Sequence, residues 1–466
     1  MLYPDSSNIA MKGEHTVRAL NWMILAALTF LSSSGMAESR FVGAEKCMSC
    51  HRDIYKTWQE STHYRAVQEV TPTHNGVIAQ WKGVLKLKSG NIPEETIKLD
   101  RGPDGEFLVT LVDIKDPAKG TTYKVLRTQG AGSMKGQNYY TKIGNNYYLL
   151  PIYWETISSK FTPASFDMWY NDDGSLKQPP VERSWEMTCA GCHQTGLEYK
   201  KVQDRYEATY TDLSIGCEKC HGPGSEHVKS PSAKNIVNPR ELDYDRGLDV
   251  CNQCHATQGR SVPKGTFRGA WNEEKNVGFK PGEVLGDYMQ SGGMPGSSGM
   301  SKLSARDGYH SLAASKHYEA KTSCFDCHNP HGGPVTANLK RGDMDNSLCL
   351  YCHATEAKFA TPEAIMKHTK HSYDPDMKGT SRCTGCHTVQ SRRMRTPSVN
   401  GMPPGGMGGM MVGFLAVSKP QQSLEAHKAN PKAPSTNACN KCHKEWGGDE
   451  EGYRKGVEAY KTLFGE

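Results

Sequence analysis

Sixteen cysteines stand in this chain of 466 residues, and every one of them falls in a Cys-x-x-Cys-His unit. The eight units are Cys47/Cys50/His51, Cys189/Cys192/His193, Cys217/Cys220/His221, Cys251/Cys254/His255, Cys324/Cys327/His328, Cys349/Cys352/His353, Cys383/Cys386/His387 and Cys439/Cys442/His443. One chemistry needs all three residues together. The two thiols add to the vinyl groups of a porphyrin, and the adjoining histidine turns beneath the ring to become the proximal iron ligand. A zinc ribbon, a thioredoxin-like redox pair and a disulfide framework also use Cys-x-x-Cys, but none requires histidine at the next position. The repeated unit therefore predicts eight covalent haem c groups.

The function of such a chain turns on the iron face opposite each motif histidine. A filled sixth position makes an electron carrier, whereas an open one binds and reduces a small substrate. Outside the motifs, and setting aside His15 near the amino end, nine histidines remain: His63, His74, His227, His310, His317, His331, His368, His371 and His427. Seven of the nine lie shortly before or after a motif, with His74 and His310 the exceptions. Nine candidates for eight sites predict mostly bis-histidine irons. His368 and His371 stand three apart, so one of that pair could be spare. Met402, Met407, Met410 and Met411 could also serve as axial ligands. Their glycine-rich setting over residues 401–413 reads instead as a surface loop.

The elements that must position these ligands are unevenly spread. Residues 41–81 carry one haem unit and read as helical. Residues 82–157 carry none, and there the pattern changes to alternation: residues 106–112 after Asp104-Gly105, then 139–143 and 147–152 flanking Gly144-Asn145-Asn146. This predicts a small β-sheet insert, either plain scaffold or a face that covers a haem or docks a partner. Three units crowd into residues 185–256. A Gly/Ser/Met run over 291–300 reads as linker within 257–304, and the last four units follow in 305–466. The predicted fold is a multihaem cytochrome c, mainly helix and loop around stacked haems. It divides into a tetrahaem region at 38–256, the linker and a second tetrahaem region.

Residues 1–37 read as a secretory signal: Lys12 and Arg18 precede an apolar run over 22–31, and Gly35-Met36-Ala37 forms a small-residue cleavage site before Glu38. The run is well short of the roughly 20 residues a membrane span needs. Hydrophobic residues make up only 36% of the chain, which is low for its length and leaves porphyrin to supply apolar mass. The formal charge of +6 does not argue for nucleic acid. A ferric haem with two ionised propionates contributes about −1, so eight bring the oxidised holoprotein to about −2 and the reduced one to about −10. Lys and Arg then serve mainly to neutralise propionates.

With Cys47-Met48-Ser49-Cys50-His51 followed by Trp58 and Ser61-Thr62-His63, the chain begins to resemble the tetrahaem cytochrome c-554 family, which is related in fold to the octahaem hydroxylamine oxidoreductases. The likeness continues through Cys189-Ala190-Gly191-Cys192-His193 with Gly196, through Gly216-Cys217-Glu218-Lys219-Cys220-His221-Gly222-Pro223-Gly224 with His227, and through Asp249 to His255. It covers about residues 41–256, and the β insert is a departure from it. The second half, with Cys324 to His328, Asn329-Pro330-His331 and a further unit one short loop later, resembles the doubled haem-motif pattern of multihaem respiratory cytochromes. The resemblance implies haems stacked closely enough to form a continuous electron path.

Two function classes follow. The first is an exported electron carrier in anaerobic respiration or extracellular electron transfer. Its partners would be redox proteins such as a quinol-oxidising membrane complex, other cytochromes or an outer-membrane conduit. The second is an oxidoreductase acting on nitrite, hydroxylamine or tetrathionate at one open haem. By resemblance, nitrite reductases mark their catalytic haem with Cys-x-x-Cys-Lys, which is absent here. Hydroxylamine oxidoreductases extend well past the last motif, whereas here only Tyr453 and Tyr460 follow His443 before Glu466. Ligand supply favours the carrier, in the periplasm or at the cell surface. A conducting filament is a minor third class, in which His63 or His427 would ligate a neighbouring subunit's haem.

Overall fold

The largest apolar cluster among the described residues of the computed structural model lies in the stretch without haem motifs. The structure describes residues 39–465 apart from 72–75, 88–96, 131–135, 157, 204, 257–258, 291–311, 314, 334–337, 343–344, 377–378, 388–418 and 432–436. The leader, the linker run, the methionine-rich loop, His74 and His310 therefore lie outside the described residues. All elements below belong to one unit, Phe41–Glu466.

Nine strands build two antiparallel sheets. They are β1 (Val67–Glu69), β2 (Gly83–Leu85), β3 (Ile97–Arg101), β4 (Phe107–Leu111), β5 (Thr121–Lys124), β6 (Arg127–Gln129), β7 (Gly136–Ile143), β8 (Asn146–Glu155) and β9 (Lys160–Pro163). One sheet runs β2-β3-β4-β5 and the other β1-β6-β7-β8-β9. Alternation explains the first: Ile97, Leu99, Phe107, Val109 and Leu111 point inward and are buried, while their neighbours are more exposed. Ile143 pairs with Asn146, which leaves Gly144-Asn145 as a two-residue hairpin loop with Gly144 at φ +59°. Only a residue free of a Cβ clash adopts that conformation readily. Between the sheets, Trp81 meets Phe107, Tyr139 and Phe161 edge to face. The Trp81 and Trp169 indole N–H groups donate to the Leu108 and Leu149 carbonyls, so both large rings are buried with their polar atoms satisfied.

The expected insert is real, but strand extends past both of its expected bounds. Helix in the first segment ends with Arg52–Glu60 and a short 3-10 turn at Tyr64–Ala66, and sheet begins at Val67. Strand continues beyond 157 in β9, in the hairpin Glu198–Val202/Arg205–Thr209 and in two-stranded pairs reaching Gln290. The described residues thus combine helices with several small sheets, and most haem-motif helices are a single turn.

The motif turns share one geometry. The backbone N–H of His51, His193, His221, His328 and His443 donates to the first cysteine's carbonyl at 2.9–3.1 Å, and His255, His353 and His387 end short helices. One helical turn of this kind brings residues i, i+3 and i+4 to one face, here both thiols and the imidazole. At the carboxyl end, helices Pro420–Ala429 and Glu450–Phe464 pack as a hairpin through Leu424, Tyr453 and Val457.

Candidate haem sites

Buried polar side chains tie the motif turns together. The Glu218 carboxylate, inside the third motif, accepts from the Val42, Gly43 and Gly224 N–H groups at 2.7–3.0 Å. Asp212 accepts from the Ala44 N–H, and the Trp58 indole donates to the Ile215 carbonyl at 3.0 Å. Together these seat the first motif beside the third. Asn346, 1% exposed, accepts from the Cys383 N–H and donates to the Ser381 carbonyl, both at 2.8 Å. It thereby couples the sixth motif to the seventh. Asn437, also fully buried, accepts from the N–H groups of Cys439 and Asn440 and so sets the last motif turn.

None of the sixteen cysteines, all of them described, forms a disulfide. Most are partly covered by the fold, whereas Cys50, Cys352 and Cys442 are exposed. Cys442, like Cys50, is an exposed thiol in a turn outside a helix. Its N–H donates to the Cys439 carbonyl at 3.1 Å, but residues 438–442 form a turn and not a helix. Asn437 holds the start of the motif, and the chain passes at once into the 3-10 segment Lys444–Trp446. The protein itself therefore does not bury this expected attachment thiol, which stays accessible to a porphyrin vinyl group.

Elsewhere the thiols meet between motifs. Cys47 hydrogen-bonds to Cys217, which pulls Cys47 down from its ordinary range and pushes Cys217 up. Cys254 is raised by its hydrogen bond to Cys192, and Cys251 by its bond to Cys324. Cys383 is lowered to about 7 by its bond to Cys349. Cys220 lies near enough to influence both Cys251 and Cys254, Cys352 to influence Cys327, Cys386 to influence Cys439, and Cys442 to influence Cys386. Taken in turn, these approaches connect all eight motifs without a gap.

The histidines sort themselves by ring geometry. Two imidazoles on opposite faces of one metal should stand about 6.3 Å apart centre to centre, given a metal–nitrogen bond of about 2.0 Å and a ring centre about 1.15 Å behind its nitrogen. Six motif histidines each face a histidine from outside the motifs at that spacing. His51 faces His227 at 6.3 Å, His255 faces His63 at 6.5 Å, and His221 faces His331 at 6.0 Å with the rings 5° from parallel. In the second half, His353 faces His317 at 5.8 Å, His387 faces His368 at 6.3 Å, and His443 faces His371 at 6.2 Å. The residues present fit an iron with two axial imidazoles at each of these six places. His63, His221, His317, His331 and His368 are all lowered, in each case chiefly by burial. Burial thus favours the neutral ring, the form that binds metal. Second bonds orient several rings: Nδ1 of His63, His221, His227 and His371 pairs with the carbonyls of Pro330, Val237, Ser232 and Thr369, and His353 Nδ1 with the Glu356 carboxylate.

His368 and His371 are each brought opposite a motif histidine. His427 is buried between the last two helices, its ring 4.9 Å from that of Tyr453. His328 lies close enough to His63 to influence it. At His193 a different residue intervenes, since Gln129 Nε2 stands 2.8 Å from His193 Nε2. Sequence reasoning missed Gln129 because it lies 60 residues before that motif, in the insert.

The family model for cytochrome c554 and c-prime matches residues 46–92 and 166–222, and that for the doubled CXXCH motif matches 317–358. With the motifs, these matches make the chain a multihaem c-type cytochrome that binds haem c. The multiheme cytochrome MtrA of Shewanella baltica is 25% identical over 186 residues, 36% of this chain and 52% of its own length. The dissimilatory sulfite reductase MccA of Wolinella succinogenes is 23% identical over 397 residues, 75% of this chain and 50% of its own. The chain thus spans about half the length of these curated relatives. The crystal structure of the outer cell wall cytochrome OcwA shares the fold with a TM-score of 0.55 at 20% identity, over 91% of this chain and 86% of that one. Among the described residues no helix is long and apolar enough to cross a membrane.

Proposed function

We propose that the chain is an exported octahaem c-type cytochrome that carries electrons along a continuous series of mostly bis-histidine haems, in anaerobic respiration or toward an extracellular acceptor. One observation carries the reading: six motif histidines each face a second histidine at 5.8–6.5 Å. In this reading the sixteen cysteines hold the haems and the eight motif histidines are proximal ligands. His227, His63, His331, His317, His368 and His371 fill the opposite faces of the irons held by His51, His255, His221, His353, His387 and His443. Haem iron supplies one-electron ferric–ferrous chemistry. A second imidazole excludes substrate from the iron, so these sites pass electrons without binding anything.

The approach of thiols between motifs supports a continuous path, because attachment cysteines sit at the porphyrin edge and neighbouring cysteines bring macrocycle edges near one another. The leader over 1–37 supports export, and other redox proteins are the natural partners. The test is reoxidation of the fully reduced holoprotein by a soluble ferric chelate, followed at the haem bands. All eight haems should reoxidise together with no residual reduced fraction. A block of haems that stays reduced for long after the rest would break the continuous path.

A further inference from the structure

The histidine of the last motif lies face to face with an indole. His443 is followed at once by the 3-10 segment Lys444–Trp446, which brings the Trp446 side chain back over the imidazole. The two rings stack with centres 4.1 Å apart and planes 13° from parallel. Among the described residues, two other motif histidines lie near an aromatic side chain, His193 by Trp185 at 48° and His353 by Phe359 at 82°, and neither is stacked. The other hold on the His443 ring is weaker. Its Nδ1 pairs with Glu445 Oε1 at 3.3 Å, and that carboxylate is 64% exposed. An exposed bond of this length competes with water, so the indole constrains the ring more.

The carboxyl-terminal helix fixes the indole in turn. Gly452 and Gly456 stand one turn apart on Glu450–Phe464, and both are buried. A Cβ at Gly456 would stand 3.0 Å from the Trp446 Cβ and 3.4 Å from the Trp446 carbonyl oxygen, and one at Gly452 would stand 2.5 Å from the Gly447 carbonyl oxygen. Without those Cβ atoms the helix lies directly against the segment that carries the indole. Across the site His371 is held independently, its Nδ1 2.6 Å from the Thr369 carbonyl. The angle between these two imidazoles is therefore decided at His443. It is 44°, within a range of 5° to 85° over the six facing pairs. Each pair thus takes its angle from its own surroundings and not from the motif.

We infer that Trp446, seated on the glycine face of the last helix, is a positioning residue that fixes the plane of the His443 imidazole and with it the electronic structure of the iron this ring binds. The inference rests on haem attachment at Cys439 and Cys442 and on the facing of His443 by His371, and it goes beyond electron carriage. In a low-spin ferric haem the angle between the axial imidazole planes splits the iron orbitals that share the unpaired electron. The g values report that splitting, so the readout is electron paramagnetic resonance of the oxidised full-length holoprotein. Trp446→Ala should shift the g values of one low-spin haem and leave the rest in place. Trp446→Phe, which keeps a ring to stack, should restore most of the wild-type signal. Gly456→Ala keeps the indole but crowds its Cβ, and it should move the same signal. Glu445→Gln should leave those g values unmoved. Unchanged g values in Trp446→Ala or in Gly456→Ala overturn the inference. A Trp446→Phe signal shifted as far as that of Trp446→Ala overturns it too, and so does a Glu445→Gln variant that reproduces the shift, because the carboxylate would then hold the ring. A new high-spin signal in Trp446→Ala, or one haem fewer by intact mass, also counts against it, since the indole would then keep the ligand or the haem in place without setting a plane. Each failure leaves the reoxidation test of electron carriage untouched.

Discussion

Replacing His331 by alanine tests the cross-chain ligand arrangement at its most distant point. His331 follows the fifth motif by three residues, yet it faces His221 of the third motif, 110 positions earlier, at 6.0 Å and 5° from parallel. If one iron joins these rings, the variant loses one axial imidazole, and one haem in eight should pass from low spin to a high-spin or water-bound form. The resulting change is about one eighth of the haem absorbance, large enough to read by difference spectroscopy and magnetic circular dichroism. His63 is the other histidine whose charge His331 feels, so any secondary change should fall on the iron between His63 and His255. Truncating a half-buried side chain costs about 1–3 kcal/mol. That is smaller than the 5–15 kcal/mol of an ordinary fold, and the variant should remain folded. Added imidazole should restore the low-spin spectrum by filling the vacated place. A variant whose eight haems all stay low spin without added ligand would refute the pairing of His331 with His221.

Four further outcomes follow from the same geometry. His368→Ala and His371→Ala should each create one high-spin haem and the double variant two, because the two residues face different motif histidines; a double variant with only one would restore the idea of a spare. His427→Ala should leave every haem spectrum unchanged and cost about 1–3 kcal/mol in thermal unfolding, since its ring packs on Tyr453; a new high-spin signal would make it a ligand instead. Asn346→Ala should cost about 1–3 kcal/mol for stranded buried hydrogen bonds and shift the spectrum of the haem between His387 and His368, read by chemical denaturation and spectroscopy together. Glu356→Gln should raise the midpoint potential of the haem held by His353, because the carboxylate at His353 Nδ1 makes that imidazole a stronger donor to ferric iron; an unchanged set of midpoints in a spectroelectrochemical titration would count against it.

Part of the fold is legible in the sequence. Alternation over 106–112, 139–143 and 147–152 marks out β4, β7 and β8, because sheet burial has a period of two and needs no distant partner to be seen. The ends of the insert are less legible: β1 and β9 are three and four residues long and take their register from β6 and β8 rather than from their own pattern. That His331 faces a histidine of another motif follows from chain length, because three residues are too few to turn it back to its own. His427 shows the opposite case, for proximity to a motif says nothing of the helix hairpin that buries it against Tyr453. Cys442 is similar in kind: its spacing from Cys439 is local, whereas its exposure depends on what packs over the last turn.

The covalent chemistry lies in the sequence itself, since a thiol, a second thiol and an imidazole at positions i, i+3 and i+4 share one helical face wherever the turn forms. That is a local property, and it holds for each motif whatever surrounds it. Which histidine faces which motif is not local. His63 meets His255, and His331 meets His221, only because Glu218, Asp212 and Trp58 dock the first motif on the third, and because Cys251 and Cys324 bring the two halves into contact. The same holds for Gln129 at His193, placed there by the register of β6 with β7 and by the packing of their shared face on Trp185. Ring pairs about 6 Å apart form between residues tens to more than a hundred positions away from each other, and at such separations only the folded backbone decides the distance.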